Sequence, residues 1–228
     1  MLGKIAQSIH EREVRFRRSF GKSITAPRDR WRSRLHFEFL DHAVLRRFWY
    51  NFAEISPDVY RSNHPDPKRL RAYRDRGIRS VLNLRGAAQQ AHYLFEKEAC
   101  DALGLTLVDI KLNARSAPDP EALLELIETF RRIEKPFVMH CKSGADRAGM
   151  ASALYLITQE DKTVDEVRNH LSWRYLHLRS TATGILDAVL DAYEAEGEAR
   201  GLSFEDWART VYDPEAVTRG FEDWRRSR

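Results

Sequence analysis

Apolar residues follow two spacings between residues 57 and 195. Short apolar runs predict strands at residues 59–61, 78–84, 105–112 and 136–140. The intervening residues 67–76, 91–103 and 120–133 carry apolar side chains at helical spacing. Strands that alternate with helices indicate an α/β fold, with a mostly parallel central sheet of four to five strands and helices on both faces.

Helix boundary signals support these elements. Asp66 and Asp119 each precede a proline, which is the pattern of an N-cap followed by the first helical residue. Gly104 is placed to end the second helix in a left-handed cap. Residues 163–166 form a capping box, and helices are expected over 183–196 and, as one or two short amphipathic segments, within 200–228.

The N-terminal region differs from the rest in charge and in pattern. Residues 1–50 hold 12 Lys or Arg and 5 Asp or Glu, a net charge of +7, while the remainder carries −3 of the total +4. We interpret residues 1–35 as a basic, weakly ordered arm with room for one short helix. It is expected to be a solvated tail, with binding to an anionic membrane surface or another polyanion as the alternative. Residues 36–228 are the main domain, and aromatic residues at helical spacing predict a first helix over residues 36–54.

Composition narrows the class of protein. No apolar run reaches the length of a membrane span and the N-terminus lacks the apolar stretch of a signal peptide, so a cytoplasmic protein is expected, with peripheral membrane contact through the arm. The two cysteines, Cys100 and Cys141, form neither a disulfide framework nor a metal-ligand spacing. Cys100 is expected in the core, with a protective disulfide to Cys141 as the alternative.

The chemistry concentrates between residues 136 and 157. A short strand, a turn-rich loop and residues 150–157, which are small or apolar on every face, predict a strand, a loop and a buried helix. Loop amides and a helix N-terminus favour an anion at that point. There Cys141 would be a thiolate nucleophile, Arg147 would hold two phosphate oxygens, and Gly144 would let the backbone bend inward.

These residues resemble a known signature. His140, Cys141, Gly144 and Arg147 match His-Cys-x-x-Gly-x-x-Arg of the cysteine-dependent protein tyrosine and dual-specificity phosphatases. Residues 60–65 and 77–85 resemble the opening of the compact atypical members, so the likeness covers about residues 57–195. It implies a phosphocysteine intermediate with no metal and no cofactor, a supporting role for His140, and a phosphate cradle made by residues Lys142, Ser143, Gly144, Ala145, Asp146 and Arg147.

Two departures from the family pattern matter. Ala148 replaces the Ser or Thr whose hydroxyl assists hydrolysis of the intermediate, so slow turnover is expected. The general acid is open between three carboxyls. Asp109 lies 32 residues before Cys141 within the predicted strand, Asp119 lies on a loop but also fits an N-cap, and Asp146 lies inside the cradle.

The substrate is less defined than the reaction. The expected substrate is a phosphotyrosine, phosphoserine or phosphothreonine protein, or a phosphorylated small molecule. Lys142 resembles phosphoinositide phosphatases, which leaves an inositide or inositol phosphate substrate at the membrane surface as one alternative and a slow, phosphate-binding pseudophosphatase as another. Arg174, His177 and Arg179 are candidates for further phosphate contacts, Tyr60, Trp173 or Tyr175 for an aromatic wall, and a nucleic-acid substrate is not favoured.

Overall fold

The computed structural model describes residues 22–41 and 49–228. Its sheet has five strands, which confirms the expected fold class: β1 (Ala53–Ser56), β2 (Val59–Asn63), β3 (Ser80–Asn83), β4 (Thr106–Asp109) and β5 (Phe137–Cys141). Their order is β1-β2-β5-β3-β4, and β2, β5, β3 and β4 run parallel. β5 therefore lies at the centre, so its carboxyl end is flanked by a parallel neighbour on either side.

Nine α-helices lie in the described part of the chain. They are α1 (Pro27–Leu35), α2 (Pro67–Asp75), α3 (Ala91–Leu103), α4 (Pro120–Arg132), α5 (Asp146–Glu160), α6 (Val164–Val167), α7 (Ile185–Glu196), α8 (Phe204–Thr210) and α9 (Pro214–Arg226). Asp66 caps α2 by accepting from the Arg69 amide at 2.8 Å, and Gly104 ends α3 with a φ of 68°. The capping box at residues 163–166 is also present.

The sheet separates two hydrophobic cores. Val138 of β5 packs with Leu70 and Tyr73 of α2 and with Cys100 of α3. Phe137, on the other side of the pleat, packs with the apolar faces of α4, α5, α7 and α8. Helices cover both faces, and α5 is buried along most of its length, as the uniformly small and apolar sequence predicts.

The N-terminal region is more structured than its composition indicates. α1 continues into a π-helical turn, His36–Leu40, across the expected boundary between arm and domain. Arg30 donates to both carboxylate oxygens of Glu98 in α3, and Phe37 packs on Phe95. The second half of the predicted arm is therefore a docked helix, while residues 1–21 lie outside the described residues.

Two predicted boundaries were wrong. The helix predicted over residues 36–54 does not reach residue 54, because strand β1 begins at Ala53. Residues 42–48 of that prediction lie outside the described part of the chain. β1 forms a hairpin with β2 through Asp58, whose φ is 67°. The strand predicted over 105–112 ends at Asp109, which leaves residues 110–118 as a loop beside the end of β5.

The C-terminal extension, residues 200–228, forms two α-helices, α8 and α9. The sequence predicted one or two short helices there. Trp207 of α8 is completely buried and packs on Tyr193, Phe204 and Tyr212. The Tyr212 hydroxyl donates to the Pro118 carbonyl at 2.9 Å. The extension therefore ties α7 to the loop that precedes α4, which borders the carboxyl edge of the sheet.

Candidate active site

The signature residues meet at the carboxyl end of β5. Cys141 is the last residue of the strand and is 1% exposed, and α5 begins five residues later at Asp146. The connection therefore turns through only four residues, 142–145. This tight turn brings the cysteine under the N-terminus of the buried helix, where backbone dipoles favour negative charge.

The carbonyls of residues 142–145 each accept a hydrogen bond from a group outside this turn. Lys142 O accepts from the His64 amide at 3.3 Å, and Ser143 O accepts from the Asn51 side chain at 2.9 Å. Arg61 donates to Gly144 O at 2.7 Å and to Ala145 O at 3.3 Å. In a trans peptide the N–H points opposite to the C=O, so the amides of residues 143–146 turn toward the side away from these donors. The geometry is that of an anion cradle.

Arg61 is the central donor of this arrangement. It lies in β2 beside β5, is fully buried, and stacks 3.7 Å from the ring centroid of Tyr175. It also donates to the carbonyl and to Nδ1 of His170, so that ring is an acceptor; burial first, and then the charge of Arg61, lower the pKa of His170 to about 4. Burial lowers the pKa of Arg61 to about 10, which leaves it charged at neutral pH.

Gly144 makes the close approach of the turn possible. Its φ is 72°, and a β-carbon there would lie 2.6 Å from the backbone nitrogen of Asn63 and 2.7 Å from the carbonyl carbon of Ser62. Both the left-handed backbone and the contact with β2 exclude any larger residue. The glycine of the signature is thus fixed by packing against the neighbouring strand.

A cleft of about 680 Å³ opens above the turn. Arg147 lines it, and its buried Nε has no hydrogen-bond partner among the described residues, as fits a guanidinium that binds an external oxyanion. The cleft is basic: Arg85, Lys111, Arg115 and Lys142 also line it. The aromatic residue in its wall is Trp49, instead of the three candidates named from the sequence.

One carboxylate moderates this positive charge. Asp41, which follows the π-helical turn and is 7% exposed, lies 2.8 Å from Arg85 Nη2 and 3.7 Å from Lys142 Nζ. The N-terminal region therefore contributes directly to the electrostatics of the cleft.

Asp146 is part of a buried chain of charges. His177 donates from Nδ1 to Asp146 at 2.8 Å and from Nε2 to Asp187 at 2.7 Å. Burial alone would lower the pKa of His177, but the two carboxylates raise it to about 9. For Asp146 burial acts to raise the pKa, but His177 and Arg147 outweigh it and lower the pKa below its ordinary value. Asp146 is therefore ionised at neutral pH.

The three acid candidates have different surroundings. Asp146 lines the cleft. Asp109 ends β4, where its two oxygens accept from the Asn83 side-chain amide and the Tyr93 hydroxyl, both at 2.7 Å. Asp119 is exposed at the start of α4 and makes no side-chain capping bond. Neither Asp109 nor Asp119 is among the residues that line the cleft.

The remaining sequence candidates are structural in this arrangement. His140 is fully buried, with its Nε2 2.6 Å from Glu96. Cys100 packs in the core opposite to that of Cys141, and burial, followed by nearby carboxylates, raises its pKa to about 12, so it is an inert thiol. His177 contacts two carboxylates instead of a phosphate, and Arg179 pairs with Asp191.

Comparison with known proteins agrees with this geometry. A family model described as "Tc-R-P: Polymorphic toxin system, DSP-PTPase phosphatase" matches residues 57–161, a little under half of the chain. The matched segment is similar to phosphatases of the protein tyrosine and dual-specificity type. It contains strands β2 to β5 and the whole signature turn.

A solved structure with a similar fold is the DUF442 putative phosphatase of Shewanella putrefaciens. It is 16% identical to this chain, with a TM-score of 0.52 over 65% of this chain and 90% of its own. TpbA of P. aeruginosa is 17% identical, with a TM-score of 0.48 over 76% and 91%, and the PP-IP phosphatase Siw14 of S. cerevisiae is 16% identical, with a TM-score of 0.47 over 76% and 91%. No curated protein sequence matches the chain.

Two residues of the site were missed from the sequence. Arg61 was read only as part of a strand, and Asn51 was placed inside a predicted helix. Their partners lie 83 and 92 residues away along the chain, so no local pattern marks them. The available signal was an arginine within an otherwise apolar strand, since a buried arginine needs several acceptors.

We expect Arg61→Lys to lower kcat/KM about 100-fold, because a single ammonium cannot replace the fork that holds the turn's carbonyls. The affinity for inorganic phosphate, measured by calorimetry, should fall as well. Arg71→Lys, on the exposed face of α2, is the control and should change neither value. Full activity and full phosphate affinity in Arg61→Lys would show that the turn keeps its shape without the fork.

The pKa of His177 predicts a pH dependence of stability. Since its pKa is about 9 in the folded chain and about 6.5 when unfolded, its contribution is complete below about pH 6.5 and is lost as the pH rises through 9. The free energy of unfolding should fall between pH 7 and about 9.5, and His177→Gln should flatten that slope. His170→Gln is the control, because a group with a pKa of about 4 does not titrate there; an equal slope in wild type and His177→Gln would contradict the assignment.

Proposed function

We propose that the chain hydrolyses phosphomonoesters through a phosphocysteine intermediate, without a catalytic metal. The substrate is a phosphotyrosine, phosphoserine or phosphothreonine protein, or a phosphorylated small molecule. The observation that carries this proposal is the set of four outward-held carbonyls between Cys141 and Arg147. Carbonyls held in this way support a ring of amide donors that faces the cleft, which Arg147 also lines.

The reaction has two steps in this proposal. The Cys141 thiolate attacks phosphorus in line, an S–P bond forms, and the ester P–O bond breaks as the leaving oxygen takes a proton. The amides of residues 143–146 and Arg147 stabilise the charge on the three equatorial oxygens. Water then attacks phosphorus, the S–P bond breaks, and inorganic phosphate and the thiolate are released.

The proton donor determines which leaving groups react well. We propose Asp146 as the carboxyl that contacts the substrate, because it is the one of the three candidates that lines the cleft. Its pKa is lowered, so little of it is protonated at neutral pH. Aryl esters, whose phenolate leaves without full protonation, should therefore react faster than alkyl esters.

The charge of the cleft favours a second substrate class. Five cationic side chains line it, namely Arg85, Lys111, Arg115, Lys142 and Arg147. A single phosphate engages the cradle and Arg147, and Asp41 lies against Arg85 and Lys142, which leaves Lys111 and Arg115 for additional anionic groups. An inositol phosphate or phosphoinositide is therefore the alternative substrate that this observation supports.

Ala148 supports slow turnover as a further alternative. It is fully buried directly after Arg147 and offers no hydroxyl to the second step. A chain in which the intermediate accumulates would act chiefly as a module that binds phosphorylated partners.

We also propose contact with an anionic membrane surface. Trp31, Leu35 and Phe39 follow one another at four-residue spacing, and their exposed fractions are 65%, 39% and 63%. Exposed arginines, Arg28 and Arg34, lie on the same helix. Aromatic residues beside basic ones are typical of interfacial helices. A nucleophilic thiol needs a reducing compartment, so we place the protein in the cytoplasm.

The reaction is tested with para-nitrophenyl phosphate, phosphotyrosine, phosphoserine and inositol phosphates, with a chelator added at assay. We expect turnover by wild type, none by Cys141→Ser, and a higher kcat/KM for the aryl esters than for phosphoserine. Arg115→Ala should lower kcat/KM several-fold for an inositol phosphate but not for para-nitrophenyl phosphate if the polyanion is the substrate. Equal rates in wild type and Cys141→Ser would contradict the mechanism.

Ala148→Ser tests which step limits turnover. A hydroxyl at this position can orient the attacking water, so we expect the steady rate to rise about 10-fold while the initial burst stays unchanged. Ala151→Ser, one turn further along the same buried helix face, is the control. No change in the steady rate of Ala148→Ser would mean that hydrolysis of the intermediate is not limiting.

Membrane contact is tested by pelleting with vesicles of phosphatidylcholine alone or with phosphatidylserine. We expect binding to the anionic vesicles, and a loss of about 10-fold in the double variant Trp31→Ala, Phe39→Ala, since two large apolar side chains no longer enter the interface. Trp173→Ala removes an equally exposed tryptophan elsewhere and should bind as wild type. Binding that persists in the double variant assigns the contact to another surface.

A further inference from the structure

A buried cluster of imidazoles and one carboxylate lies directly behind the signature turn. His64 follows β2, Glu96 lies in α3, and His140 is the residue before Cys141 in β5. His140 Nε2 is 2.6 Å from Glu96 Oε1, and His64 Nδ1 is 3.8 Å from Glu96 Oε2. One donor atom from each residue lies within 4.8 Å of the other two. Three separate elements therefore bring nitrogen and oxygen donors to one point.

The burial of this cluster is nearly complete. The exposed fractions of His64, Glu96 and His140 are 2%, 1% and 0%. Among the described residues, the ion-pair partners of Glu96 are these two imidazoles, and no Lys or Arg pairs with it. A carboxylate removed from water needs a positive charge beside it, and a bound metal cation would supply one.

The donor set matches a transition-metal site. Two histidines and one glutamate are known zinc ligands, and a tetrahedral site with bonds of about 2.0–2.2 Å separates its donors by roughly 3.4 Å. The distances from Glu96 to His140 and to His64, 2.6 and 3.8 Å, lie on either side of that value. Side-chain shifts of less than about 1 Å would bring these donors to tetrahedral spacing. His92, one helical turn before Glu96 and 5% exposed, has its ring centroid 5.6 Å from that of His64 and could be the fourth ligand.

We propose that His64, Glu96 and His140 bind one structural Zn²⁺ ion, with His92 as the fourth ligand. The ion would join the end of β2, α3 and the end of β5 immediately behind Cys141. It takes no part in the transfer of phosphate, because His64, Glu96 and His140 are buried and none of them lines the cleft. The site is independent of the reaction proposed above.

The test uses tag-free full-length protein carrying Cys141→Ser, so that the nucleophilic thiol cannot bind the metal. After chelator dialysis, calorimetry should show one Zn²⁺ per chain with a Kd below about 1 µM. Co²⁺ should give the visible absorption of a tetrahedral site. A hundredfold excess of Zn²⁺ over Kd should raise Tm by about 5–10 °C. Zinc binding that is present with Cys141 but absent in Cys141→Ser assigns the metal to the thiol and overturns the proposal.

Ligand variants locate the site. Glu96→Gln should lower zinc affinity at least about 100-fold, and Glu98→Gln, two residues away on the exposed side of α3, should bind as the parent does. His64→Gln provides a second ligand variant should Glu96→Gln fail to fold. Equal affinity in the parent and a folded ligand variant, or no binding by the parent itself, overturns the proposal. Since every readout is binding or stability, failure here leaves the phosphatase mechanism untouched.

Discussion

The structure depends on a buried guanidinium that faces the back of the signature turn. Arg61 lies in β2, between β1 and β5, and its guanidinium stacks on the ring of Tyr175. It donates hydrogen bonds to the carbonyls of Gly144 and Ala145. Among the described residues no carboxylate forms an ion pair with it. A single side chain therefore both shapes the turn and adds positive potential to it, which favours an anion there.

A second, opposite constraint acts at the start of α5. The helix N-terminus and Arg147 attract anions, yet the first helical residue is itself an aspartate. His177 resolves the conflict, since it binds the carboxylate from the side and is in turn held by Asp187. Arg61 therefore fixes the carbonyls of the turn, and the chain Asp146, His177 and Asp187 fixes the start of α5. Together they orient the amides of the turn in the absence of a ligand.

The sequence indicated the sheet, the buried helix and the signature residues, because each depends on neighbours in the chain. The N-cap at Asp66 and the left-handed residue Gly104 are local in the same sense. What it did not indicate are contacts between distant segments. β1 has too few buried positions to show a strand pattern, and the role of Arg61 depends on carbonyls more than 80 residues away. Glu96 carried no predicted role, because its contact with His140 joins two elements that are distant in the sequence.

The position of Asp41 bears on how this chain would behave if it were shortened. This carboxylate reaches the cleft from the segment that precedes the sheet and lies against Arg85 and Lys142. A fragment trimmed to the sheet and its helices would keep Cys141 but lack that carboxylate. Arg85 and Lys142 would lose their negative neighbour in the cleft, while the fragment as a whole would lose the net charge of +7 carried by residues 1–50. The local charge of the cleft and the overall charge of the protein would therefore change in opposite directions.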